Sequence, residues 1–278
     1  MTRHVSRAAT ARRRQSFSSR AWPQPPQPCT PGGWPRRVGV EIEFAGLSVL
    51  ETTALFDRRW GATIEARSRH DMVADLPSLG KAEVALDTRH AKHLPEDGDL
   101  TGAIRDVLGD AAGFVVPTEI TAPPIEIEHA SMLDEMVVVL REAGARGTRA
   151  SPTNAFATQI NIEAPSTAPG GILAILRSFL VLEDWLRVEI DIDPARRLLG
   201  FEHRFPLEYQ RRVLDPAYAP AVEALIDDYI AANPTRNRPL DLLPILADLD
   251  ADRVRAALPS EKIKPRPAYH YRLPDCRI

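Results

Sequence analysis

An α+β fold, with a mainly antiparallel sheet covered on one face by helices, is predicted by three observations. Short segments of period-two alternation are scattered along the chain, with helical-period segments between them. Each alternating segment is apolar on one side and polar on the other, as a sheet needs when helices cover one face only. Neither G-x-G-x-x-G nor G-x-x-x-x-G-K-[ST] occurs, which removes the usual dinucleotide and P-loop readings.

The first strand is Arg37 to Phe44. Val38, Val40, Ile42 and Phe44 form its buried side, and Glu41 and Glu43 project together from the other, roughly 6.5–7 Å apart along the backbone. Two acids so placed repel each other unless a cation, a basic side chain or water lies between them. Ser48 to Trp60 is a short helix that offers Leu50, Leu55 and Phe56 for burial. Ala62 to Ala66 and Asp71 to Leu76 are short strands joined by the polar turn Arg67 to His70. Gly80 to Asp87 alternates Ala82, Val84 and Leu86 against Lys81, Glu83, Ala85 and Asp87. A helix is expected over Leu100 to Ala112, then a strand over Phe114 to Thr121 that stops at Pro123-Pro124, since proline cannot continue a ladder.

Glu126 to Ala145 has helical spacing in Met132, Met136, Val139 and Leu140, with Gly144 near its C-terminal stop. Phe156 to Ala164 returns to alternation, with Ile160 and Ile162 inward. Pro169 opens an apolar helix through Ile172, Ile175, Leu176, Phe179, Leu180, Val181 and Trp185, read as core. A helical section at about 206–257 is interrupted at Pro216, Pro234 and Pro239, and Ala268 to Leu273 is the last strand.

The 278 residues can bury a sizeable core. A net charge of −3 argues against binding nucleic acid through whole-protein electrostatics. No run of about 18 apolar residues exists to span a membrane. Cys29 and Cys276 give neither a metal-ligand spacing nor a disulfide framework, which suits a reducing cytoplasm. Residues 1–36 read as a disordered arm, rich in arginine and then in proline and glycine, ahead of one folded domain over 37–278. The acid-free, arginine-rich start shares the composition of organelle transit peptides, and it has no apolar stretch of the secretory kind.

The polar sides of the strands assemble a candidate site. They offer Glu41 and Glu43, then Lys81, Glu83 and Asp87, then Glu119 and Thr121, then Gln159, Asn161 and Glu163, and last His270 and Arg272 after Arg266. Surroundings rich in oxygen and free of sulfur suit Mg²⁺ or Mn²⁺, the ions of phosphate chemistry. His270 reads as a structural histidine rather than a ligand, and Arg196, Arg197 and Arg204 as solvated. Glu41 and Glu43 alone are equally explained by a solvated strand face.

R-x-G-x-E-x-E-F from Arg37, P-T-E-I-T-A-P-P from Pro117 and N-A-F-A-T-Q-I-N from Asn154 follow one another in an order and spacing that resemble the amidoligase family. That family belongs to the carboxylate–amine ligase superfamily, with glutamine synthetase and glutamate–cysteine ligase. The resemblance implies a curved antiparallel sheet like the glutamine synthetase catalytic domain, holding ATP and Mg²⁺ or Mn²⁺. It implies a reaction in which ATP phosphorylates a carboxylate and an amine displaces the phosphate. The substrates would be a small-molecule carboxylate and an amine, amino acids or peptides among them. Glu41, Glu43 and Glu119 match its metal-binding glutamates, and a further ligand is expected from Glu83 or Asp87, Glu83 first, on a strand that no motif aligns. Glu83 and Asp87 are equally read as an exposed edge paired with Lys81 and Arg89. Gln159 and Asn161 fall where relatives carry H-x-H, and are expected to offer oxygen to Mg²⁺ or bind nucleotide phosphate. Arg272 matches a late basic residue expected to contact phosphates and to act in catalysis. A scaffold that keeps the fold without turnover, and a metal-dependent hydrolase, are the rival readings.

Overall fold

In the computed structural model, the described residues are 22–87, 116–151, 154–193, 196 and 203–278. The expected helix over Leu100 to Ala112 and the start of the arm, residues 1–21, lie outside them. The fold is α+β, built on one open antiparallel sheet with nine strands among the described residues. Strand β1 (Arg37–Phe44) lies at its centre and pairs with β5 (Thr118–Thr121) on one side and β7 (Thr158–Glu163) on the other. Outward from β5 come β4 (Gly80–Leu86), β3 (Asp71–Leu76) and β2 (Thr63–Ser68). Outward from β7 come β9 (Ala268–Tyr271) and the two-residue β8 (Leu240–Asp241).

The alternation in β1 is realised: Val38, Val40, Ile42 and Phe44 are buried in one apolar cluster with Met72, Ala74, Ala82, Val84 and Ile120. Gly80 joins β3 to β4 at φ +90°, in the left-handed region that favours glycine. Pro123 and Pro124 end β5, as read from the sequence. The chain then regains the same edge of β1 through β6 (Ile125–Glu126), which pairs with Arg37 and Val38. The Phe114 strand is shorter than expected, beginning at Thr118, with residues 114 and 115 outside the described part.

Helix α1 (Val49–Trp60) packs on β3 and β4 and begins at a reciprocal capping box between Ser48 and Glu51. Helix α2 (Ser131–Glu142) is shorter than the expected Glu126 to Ala145, because Ile127–His129 form a 3₁₀ turn first. Helix α3 (Pro169–Ile190) opens a second apolar cluster with α4 (Leu207–Leu214), α5 (Val222–Ala232), α6 (Leu243–Leu249), α7 (Ala251–Ala257) and Tyr269 of β9. Among the described residues, no helix is long and apolar enough to cross a membrane.

Three expectations need correction. Trp185 is 57% exposed and Val181 70%, so the outer face of α3 is not core. Residues 22–36 are not a loose arm: Trp22 Nε1 donates to Asp134, and buried Arg36 donates to the Glu163 carbonyl at 2.7 Å. Arg196 is not solvated but fully buried, donating to Asp275 at 3.1 Å and to the carbonyls of Leu273 and Arg272 at 2.8 and 2.9 Å. Arg204 is half-exposed and paired with Asp184, and Arg197 lies outside the described residues.

Candidate active site

The register of the sheet decides which polar side chains meet. On the face away from the helices Glu43 stands opposite Glu119, Glu41 opposite both Thr121 and Gln159, and Asn161 opposite His270. On β4, Ala85 stands opposite Glu119 and Glu83 opposite Thr121. Asp87, one step beyond β4, is held by its backbone N–H on the Pro117 carbonyl at 3.0 Å. Glu43, Asp87 and Glu119 consequently converge, with one carboxylate oxygen from each within 4.8 Å of the others. Glu43 and Asp87 are buried and Glu119 half-buried.

Glu83 lies outside this group. Its side chain is 49% exposed and paired with Arg67 at 3.2 Å. The third strand's acid in the cluster is Asp87, which alternation places on the same face as Glu83 and which no motif singled out. A second group, Glu126 at the end of β6 with Glu128 and His129 of the 3₁₀ turn that follows, is exposed or half-buried and lacks such burial.

Glu43 is braced on both oxygens. Gln159 Nε2 donates to Oε1 at 2.8 Å and the Ala157 N–H donates to Oε2 at 2.9 Å. Asn161 Nδ2 donates to Glu41 Oε1 at 3.0 Å. Beyond β7 the face turns basic. Arg266 donates to Asn161 Oδ1 at 2.6 Å, and Arg236 bonds His270 Nδ1 at 3.3 Å and Asp241 at 3.4 Å. Burial lowers the Arg266 pKa, opposed by the nearby Glu41 carboxylate. Arg272 follows His270 on this face, and its charge adds to the burial that holds the imidazole below its ordinary pKa.

The face thus runs from carboxylates on β4, β5 and β1, through two amides on β7, to guanidinium groups beside β9. Three carboxylate oxygens in a partly buried cluster match the hard ligand set of a divalent cation. An octahedral Mg²⁺ with ligands at about 2.1 Å sets neighbouring oxygens about 3 Å apart and opposite ones about 4.2 Å apart. Oxygens that all lie within 4.8 Å of one another are compatible with that spacing. Residues 34–278 match the model of a family described as "Putative amidoligase enzyme". The chain belongs to the amidoligase family. As an amidoligase it is an enzyme of the ligase type. No curated protein and no solved structure matched it.

Proposed function

We propose that this amidoligase is an ATP- and Mg²⁺-dependent carboxylate–amine ligase that works through an acyl-phosphate, on small carboxylate and amine substrates such as amino acids or peptides. The observation that carries the reading is the buried convergence of Glu43, Asp87 and Glu119 from three neighbouring strands of the family-matched region. Glu43, Asp87 and Glu119 would hold Mg²⁺ or Mn²⁺, with Glu41 on the same strand facing the arginine flank. A cation held there would neutralise triphosphate oxygens and help align the γ-phosphoryl group.

The chain's own residues position and balance charge. A substrate carboxylate oxygen attacks the γ-phosphorus and ADP leaves. The amine nitrogen then attacks the acyl carbon, the phosphate departs with the C–O bond pair, and the amine loses a proton. Arg272 counters charge on the transferring phosphoryl oxygens, from the basic flank of the same face. Gln159 and the Ala157 N–H fix the Glu43 carboxylate, so no reorganisation is needed at the moment of reaction. Two free cysteines, one buried and one exposed, suit work in a reducing cytoplasm.

The test is phosphate release from ATP and Mg²⁺ by the full chain, over a panel of carboxylate and amine pairs. Release should require both substrates. Glu43→Gln and Asp87→Asn should lower kcat/KM by more than the roughly 10–100-fold typical of outer-shell changes. Turnover without ATP would make the chain a hydrolase. No release with any pair, together with equal ATP binding by wild type and variants, would make it a scaffold.

A further inference from the structure

Two amides on β7 face the acids, and their partners fix which way each points. Gln159 gives its Nε2–H to Glu43 and receives His270 Nε2 on Oε1 at 2.8 Å. Asn161 repeats the pattern, giving Nδ2–H to Glu41 and receiving Arg266 Nη2 on Oδ1 at 2.6 Å. In both side chains the NH₂ end turns to β1 and the carbonyl end turns away, towards β9. A cation among Glu43, Asp87 and Glu119 would meet the donor end of Gln159, which cannot ligate it. A cation on the carbonyl side would lie against an imidazole N–H or a guanidinium, and both repel it.

We propose that Gln159, Asn161 and His270 are positioning residues rather than metal ligands, and that the chain itself holds one divalent cation, on Glu43, Asp87 and Glu119. The inference rests on the cation site of the ligase reading. His270 is the far end of the brace. Because the Gln159 oxygen accepts, His270 Nε2 carries the proton and Nδ1 accepts from Arg236. The chain Arg236–His270–Gln159–Glu43 therefore donates in one direction throughout, and it ends on a carboxylate of the acid cluster. Such outer-shell bonds orient a ligating carboxylate and tune its affinity without touching the metal.

Mn²⁺ titration of the full chain without nucleotide, read by electron paramagnetic resonance and by calorimetry, tests this. Wild type should bind one ion, and Glu119→Gln should lose it. Gln159→Leu and His270→Ala should each keep one ion at about 10–100-fold lower affinity. The double variant should be no weaker than the single ones, because both act through one bond chain. A histidine that served stability alone would lower the melting temperature and leave Mn²⁺ affinity unchanged, and that result would overturn its role. Asn161→Ala, at a half-buried position more tolerant of change, should also keep its ion. Two ions in wild type, one of them lost in Gln159→Leu or Asn161→Ala, would overturn the inference and leave the ligase reading standing. No bound Mn²⁺ in wild type would overturn the cation site and both readings with it.

Discussion

Single side chains in this protein act at a distance from the acids they serve. Arg196 and Asp275 are a buried pair, and Asp275 also accepts from the Asp193 N–H at 2.7 Å. The pair pins the C-terminal segment, which in turn borders the start of β7 through the Ala157–Asp275 bridge and the Thr158 N–H on the Pro274 carbonyl. Ala157 is the residue whose N–H fixes Glu43, so the pair supports the site through backbone alone. Arg196→Met leaves Asp275 charged without that partner, and should cost about 3–5 kcal/mol of unfolding free energy in urea. A loss below about 1 kcal/mol, the scale of an exposed pair, would refute this account. His270 gives a pH signature. Burial holds its pKa below the ordinary value of about 6.5, so the fold favours the neutral ring while the unfolded chain takes up a proton more readily. Stability should be complete above about pH 6.5 and fall as the pH drops from there towards the folded-state pKa. Denaturation curves from pH 7.5 to 5 (a range chosen to bracket about 6.5) should show that fall in wild type and a flatter profile in His270→Gln.

At the scale of elements, what was legible depended on whether a face or a register was needed. Period two located β1, β3, β4 and β7, because a half-buried strand writes its burial into every second residue. It also put Glu83 and Asp87 on one face of β4, but it could not say which of them reaches Glu119. That follows from the pairing of Ala85 with Glu119, and nothing local encodes a register between strands separated by 31 residues, from Leu86 to Thr118. The two-residue strands β6 and β8 have no period to detect, and Arg196 is buried at a position that no period marks. Helix α3 misled in another way, being apolar on more sides than it buries. Leu176 is fully buried, whereas Trp185 and Val188 are 57% and 77% exposed. Leu176→Ala should therefore cost about 2–5 kcal/mol, and Trp185→Gln should stay within about 0.5 kcal/mol of wild type. Equal losses in denaturant would show that the outer face of α3 is packed in solution.

Across the whole molecule, the acid cluster exists only when the sheet does. Glu43 comes from β1, Asp87 from the end of β4 and Glu119 from β5, so their convergence depends on long-range pairing rather than on a local loop. The motif around Glu41 and Glu43 and the T-E-I-T-A-P-P run revealed two of these acids, since each lies in a recognisable strand, but their meeting is a property of the tertiary fold. An unfolded chain cannot offer the three carboxylates together, and so a cation that binds them binds the native state alone. Linkage then adds RT ln(1 + [L]/Kd) to stability, about 2.7 kcal/mol when the cation stands at 100 times its Kd. The melting temperature of the wild type should climb with added Mg²⁺ and continue to climb logarithmically above the Kd. In Glu119→Gln, with one ligand oxygen made neutral, the same titration should be nearly flat. Parallel curves for the two proteins would mean that Mg²⁺ stabilises the fold elsewhere, and the carboxylates of β1, β4 and β5 would lose their assignment.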